Sequence, residues 1–355
     1  MMVIEPRQSV SWLRAGLAPV WAVLASLALC AVLITWAGAS IPEAYALLIK
    51  GAFGSTFAIN ETLTRSIPLI FTGLAAAVAF RAKFYNIGAE GQLYAGALAA
   101  TFFGTGLITL PPILMVPFLV IMGALAGGLL LLVPVLLRTR LKVDEVVTTL
   151  LLNFVVLLVV SYLIEGPWKD PMSLGWPQAA SIVDEGVIPP MLSKGRLHYG
   201  LVIAIAAAVI IWVVMRFTVQ GYEIRAVGHN QQAAEFAGIR VNRTVIMTAM
   251  ISGGLAGMAG VSETAGLKGY LTLDLSPGFG YTGIAVAMLA QLNPLAVVPA
   301  AIFLSAVYVG SDAMSRAVNI PTYIADVLVG VSVLSVLCSV MFSQYRVRWR
   351  SGKAT

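Results

Sequence analysis

The stretch FYNIGAEGQLYAG, Phe84 to Gly96, decides how the chain is read. It stands between two long apolar runs and suits neither. A helix facing lipid has no use for Asn86, Glu90 and Gln92 so close together, nor for Gly88 and Gly91 among them. Broken helices at membrane depth are tolerated only where the freed backbone meets protein or a water-filled cavity. Polar side chains there are functional candidates by default. The patch therefore reads as the interior of a membrane protein, with Phe84, Asn86, Gly88, Glu90, Gly91 and Gln92 as candidate lining for a hydrophilic solute's route. The competing structural reading makes Asn86 a helix cap and pairs Glu90 with Arg81 or Lys83.

The rest of the chain agrees with a membrane setting. Of its 355 residues, 59% are hydrophobic and 11% charged, against about 25% charged in ordinary soluble domains. The 33 glycines suit helices that approach closely in lipid. Cys30 and Cys338 both lie in apolar runs, and His198 and His229 are isolated, which argues against a disulfide framework and a metal site. No phosphate-binding glycine loop, HExxH or GxSxG occurs. If ATP energises the protein, another chain must hydrolyse it. The net charge of +6 is concentrated in short loops and reads as a topology signal, not as a nucleic-acid footprint.

A helix needs roughly 20 apolar residues to cross the hydrocarbon core. That ruler places ten spans near 17–38, 62–80, 91–109, 112–137, 146–164, 199–215, 244–262, 280–292, 295–311 and 323–342. The eighth is too short to cross unaided, and the first reads as an uncleaved helix. The expected fold is an all-α polytopic transmembrane bundle forming a single domain over 1–355. Fifteen of the 22 basic residues fall on one side, so the positive-inside rule puts both termini in the cytoplasm. Two loops are long: an external one over 165–198 and a cytoplasmic one over 216–243.

NIGAEGQLYAGALAA (Asn86 to Ala100) has a counterpart in SPGFGYTGIAVAMLA (Ser276 to Ala290). Both are glycine-broken polar starts that open a small-residue helix, and they suggest two inverted five-span halves. Paired interruptions of this kind point to a transporter's substrate path. Asn153, Gln291, Asn293 and Asp326 are further polar candidates in or beside spans. Glu61 and Arg65 read as an i,i+4 structural pair. Glu263 reads as a solvated residue ending its span, and ISGGLAGMAG (Ile251 to Gly260) as a helix-packing face.

The cytoplasmic loop carries GYEIRAVGHNQQAAEFAGI. Its middle predicts a short helix, Gln231 to Ala237, closed by Gly238. Phe236 and Ile239 beside alanines give it an apolar face that must dock on something.

AFRAKFYNIGAEGQL and GYEIRAVGHNQQAAEFAGI together resemble the permease subunits of ABC importers for simple sugars, branched-chain amino acids and nucleosides. Within that family the chain is most similar to permeases partnered with a basic-membrane-protein-type nucleoside-binding lipoprotein. The resemblance implies a bacterial inner-membrane subunit working with an ABC ATPase, a second homologous permease (a heterodimer) and an extracytoplasmic solute-binding protein. It implies no cofactor on this chain, with ATP and Mg on the ATPase. Phe84, Asn86, Gly88, Glu90 and Gly91 match the family's transmembrane pattern. Arg225, Ala226, Gly228, Asn230, Ala233, Ala234 and Gly238 match its ATPase-coupling pattern, and Phe236 joins them. The segment Leu271 to Phe279 and AQLNP (Ala290 to Pro294) fit the nucleoside type less well, leaving sugars such as ribose as an alternative cargo. An ion-coupled secondary transporter would need a buried carboxylate, for which Glu90 or Asp326 would serve, but would have no use for the docking helix.

Overall fold

The computed structural model describes residues 2–6, residues 24–318 apart from positions 26, 33, 37, 39, 109, 193 and 194, scattered positions between 327 and 339, and residues 345–349. These divide into a compact unit over 60–305 and a second unit made of 1–59 with 306–355. Asp326 and most of the spans expected at 17–38 and 323–342 lie outside the described residues.

The helices are α1 (Ile41–Phe53), α2 (Thr56–Arg81), α3 (Ala89–Gly104), α4 (Pro112–Leu141), α5 (Glu145–Glu165), α6 (Gly200–Phe217), α7 (Val219–His229), α8 (Gln231–Phe236), α9 (Val241–Val261), α10 (Phe279–Leu289) and α11 (Pro294–Val318). Six of the described helices are long and apolar enough to cross a membrane: α2, α4, α5, α6, α9 with its extension to Lys268, and α11. The chain is thus an all-helical, multi-pass membrane protein. One departure is a short antiparallel pair between β1 (Met2–Pro6) and β2 (Tyr345–Trp349), which hydropathy does not reveal. Another is α1, an extra helix after the first apolar run. In the unit it belongs to, Cys30, Ile34, Ala44 and Met314 form a buried cluster.

The centre of the 60–305 unit is α9 packed on α3 and α4. These helices meet backbone to backbone. A Cβ added to Gly96 would lie 2.0 Å from the Gly257 carbonyl oxygen, and one on Gly257 would lie 2.1 Å from that of Gly123. The Ile251–Gly260 face is therefore a packing face, as its small-residue spacing predicts. Asp144 starts α5 by accepting the Val146 amide at 2.7 Å, a standard helix cap. The Glu61–Arg65 pair also forms, at 3.9 Å, and Arg196 joins it at 3.1 Å.

Beyond α9 the helix widens into a π-turn over Ser262–Lys268. This corrects the reading of Glu263 as solvated: the side chain is 2% exposed, because the apolar run ends but the helix does not. The long 165–198 loop lies across this turn, with the Ile188 and Ile182 amides donating to Ala265 and Gly269 carbonyls at 2.8 Å each. Ile182 and Ile188 join Met115, Leu119 and Val261 in one buried cluster. Trp168 of the same loop stacks on Phe102, whereas Trp176 is exposed.

Candidate functional site

The segment Ala82 to Gly88 leaves α2 and turns back on itself before α3 begins. Phe84 is fully buried, with the Arg138 guanidinium over its ring at 5.3 Å. Arg138 also donates to the Lys83 carbonyl at 3.1 Å and pairs with Glu145 at 3.0 Å. A single cation from α4 thus clamps the turn. Nothing in residue spacing indicates this contact, since Arg138 reads as one more topogenic base.

The polar residues that follow form a closed hydrogen-bond set. Asn86 and Gln92 exchange both amide bonds, at 2.9 Å each. Asn86 also accepts from the Gly88 amide at 2.9 Å and donates to the Ser252 hydroxyl at 3.0 Å. Ser252 in turn donates to the Ala75 carbonyl at 2.8 Å. From α5, Asn153 accepts the Gly91 amide at 2.8 Å and donates to the Ile87 carbonyl and the Tyr281 hydroxyl, both at 3.0 Å. All four side chains, Asn86, Glu90, Gln92 and Asn153, are buried. Sequence reasoning gathers Asn86, Glu90 and Gln92 as one polar patch and names Asn153 separately, but misses Ser252 and Tyr281, which are ordinary residues until the fold brings them in. Gln291 is different: it sits exposed in the turn after α10, at φ 51°, apart from this set.

Glu90 does not pair with Arg81 or Lys83 in this way. Its carboxyl oxygen accepts the Gly280 amide at 2.7 Å, and the Ser276 hydroxyl and Gly278 amide also face it. Arg81 donates instead to the Leu292 carbonyl. Glu90 is therefore the cap of α10, supplied from α3. Gly280 permits the approach, since a Cβ there would lie 2.2 Å from the Glu90 amide nitrogen. Leu273, ahead of α10, accepts from the Tyr94 hydroxyl in α3, while Leu292, after α10, receives Arg81 from ahead of α3. The two short helices thus start against each other and run antiparallel. Each helix N-terminus carries unpaired amides; the Glu90 carboxyl accepts that of Gly280 in α10, and Asn153 accepts that of Gly91 in α3. The two glycine-broken starts meet at one seam.

The 216–243 loop holds the expected short helix, α8, preceded by a second helix, α7. Asn230 caps α8 by accepting the Ala233 amide at 3.1 Å. Gly238, at φ 86°, reverses the chain so that the Ile239 amide returns to the Ala234 carbonyl at 3.0 Å. The apolar face divides in two. Ala234 is buried with Val227, Phe84, Ala79 and Val245, and Ala226 and Ile239 pack against that cluster. Phe236 is 96% exposed. Gly228 is buried against α2, where an added Cβ would lie 1.8 Å from the Arg81 carbonyl oxygen. Its small size serves contact within the chain. Arg225 is half-buried.

A family model described as the permease component of branched-chain amino acid transport systems matches residues 58–337. The chain belongs to this family. It is a permease, a membrane channel subunit and not a catalytic enzyme. It is 33% identical to the guanosine ABC transporter permease NupP of Bacillus subtilis, over 95% of this chain and 96% of that protein. It is 32% identical to the nucleoside ABC transporter permease NupB of Lactococcus lactis, over 85% of each. A glucose ABC transporter permease, TsgB13 of Haloferax volcanii, is 32% identical over 97% of this chain and 93% of its own length. No solved structure matches. In this ABC permease, Phe84 belongs both to the turn ahead of the buried polar seam and to the cluster beneath α8.

Proposed function

We propose that this permease is the membrane subunit of an ATP-driven nucleoside importer, working beside a second homologous permease. The observation that carries the coupling is the shared packing of Phe84 with Val227 and Ala234. An ATPase bound to the exposed Phe236 side of α8 would push on that cluster, and Phe84 would pass the displacement to the Asn86–Glu90 turn. Opening the α3–α10 seam would then present Asn86, Glu90, Gln92 and Asn153 to the solute. Their amide and carboxyl groups suit the hydroxyls and base edges of a nucleoside. Coupling requires that the ATPase contact the two states differently, and the exposed α8 surface is suited to that.

The rest of the arrangement follows the family. The chain forms one permease domain of about ten spans in the bacterial plasma membrane, with both termini cytoplasmic. The likeness between the 84–100 and 276–290 segments is that of two inverted halves. ATP and Mg belong to the ATPase, and an extracytoplasmic binding protein delivers the solute. Two guanosine permeases of Bacillus subtilis, NupP and NupQ, both resemble this chain, at 33% and 27% identity, which favours a heterodimer. The glucose permease of Haloferax volcanii supports a sugar as the second reading.

The cargo is tested by uptake of labelled guanosine, adenosine, glucose and ribose in cells lacking this gene, with and without the restored chain. Nucleoside uptake that depends on the chain is expected, with at least tenfold less dependence for the sugars. Dependence confined to glucose or ribose would transfer the site to sugars.

A further inference from the structure

A cleft of about 560 Å³ opens beside the cytoplasmic segment. Arg81 at the end of α2, Arg216 at the end of α6 and Arg225 in α7 line it, together with Trp212, Phe217 and Asn293. Among the described residues, no acidic side chain lines it, and none of the three arginines forms an ion pair. Asn293 caps α11 by accepting the Leu295 amide at 3.1 Å, so the positive end of a long helix also borders the cleft. Topogenic bases need only stand in the correct loop. These three come from three elements and converge on one hollow, and Arg81 is tethered to the Leu292 carbonyl at 3.3 Å. Like charges drawn together without an acid call for an anion between them.

The geometry points to an anionic phospholipid headgroup, its phosphate held by Arg216, Arg225 and Arg81. Free phosphate shares that chemistry, but the surroundings favour a lipid. The α6 surface leading up to the cleft is apolar and open, with Val209, Ile210 and Val213 exposed and Phe217 at its edge. An acyl chain can lie along that face while the headgroup enters the cleft, and Trp212 and Phe217 are the aromatic side chains preferred at a membrane interface. Basic hollows between helices at the cytoplasmic side recognise lipid headgroups by this means. The inference rests on the cytoplasmic placement of this loop, and not on the identity of the cargo.

The test uses the full-length chain, purified in a neutral detergent and mixed with phosphatidylglycerol or phosphatidylcholine, with bound lipid counted by native mass spectrometry. Wild type is expected to retain phosphatidylglycerol over phosphatidylcholine by about tenfold or more. Each basic residue near an anionic surface is worth about a fivefold change in occupancy. Arg216→Gln combined with Arg225→Gln should therefore reduce the preference to near unity, while Arg216→Lys combined with Arg225→Lys, and the Arg140→Gln control, retain most of it. Equal chromatographic elution of all variants excludes misfolding as the cause. Equal retention of both lipids by wild type, or an undiminished preference in the double glutamine variant, would overturn the proposal. So would full displacement of phosphatidylglycerol by millimolar inorganic phosphate, which would identify a free-anion site. Loss of bound lipid when the ATPase subunit is added would make the cleft a protein interface and would likewise overturn it. Because the assay reads binding alone, a different cargo or energy source leaves its outcome unchanged.

Discussion

Glu90→Leu is expected to abolish uptake and to lower the yield of folded chain. The leucine removes the carboxyl oxygen with which α3 caps α10, and leaves the Gly280 amide buried without its acceptor. One buried group left unpaired costs roughly 1–3 kcal/mol. Because Ser276 and Gly278 face the same carboxyl group, the loss should lie at the upper end or above. Glu90→Gln keeps an acceptor oxygen and a near-identical shape. It should fold, and its uptake per folded chain should fall several-fold, because one of the two oxygens that can face the α10 amides becomes a donor. Detergent-extracted yield and uptake measured on the same preparations separate the two effects. Normal uptake by the leucine variant would remove Glu90 from both the seam and the pathway.

Phe236→Asp should act in the opposite manner, leaving the permease intact and detaching its motor. The side chain is almost wholly exposed, and substitutions at such positions usually change stability by no more than about 0.5 kcal/mol. A buried aromatic at the middle of an interface, by contrast, is commonly worth 2 kcal/mol or more, so retention of the ATPase should fall by at least about thirtyfold. Co-purification of the ATPase with tagged permease measures this directly. Undiminished retention and uptake would show that α8 is not the docking element. Gly228 would be a poor probe of the same question, since any side chain there collides with the Arg81 backbone.

Much of the site is legible in the sequence because hydropathy makes polar residues conspicuous. Asn86, Glu90, Gln92 and Asn153 stand out in apolar runs, and all four are buried polar groups within one seam. The glycine and asparagine that bound α8 are equally readable, because each has a fixed conformational use at a helix end. The partners are not legible. Glu90 and Gly280 lie 190 residues apart, and a bland pairing with Arg81 or Lys83 satisfies the same local pattern. Glu263 was open to misreading for another reason: the end of an apolar run marks the end of a span only if the helix stops there, and here a π-turn carries it onward. Arg138 shows a third limit. Its charge is accounted for by topology, so its clamp on Phe84 and the Lys83 carbonyl emerges only from the fold.

The seam also explains why so polar a segment remains inside so apolar a protein. Apart from the local Gly88 amide that Asn86 accepts, the bonds of Asn86, Gln92, Asn153 and Ser252 in this set reach a different turn or a different helix. A set satisfied in this manner stabilises one arrangement of α2, α3, α5, α9 and α10, and partial loss is costly. Such an arrangement is suited to two states with a barrier between them, and not to a permanently open pore. On the proposed coupling, the exposed Phe236 and the buried Phe84 are the two ends of a short mechanical path.

The central claim is that ATP, through a separate subunit, drives this permease. The most direct measurement is nucleoside uptake by cells carrying the restored chain, treated with a protonophore while cellular ATP is held constant. Continued uptake that stops when the ATPase partner is made unable to hydrolyse ATP is the expected result. Collapse of uptake under the protonophore at unchanged ATP would contradict it, and would make Glu90 the carboxyl group of an ion-coupled carrier.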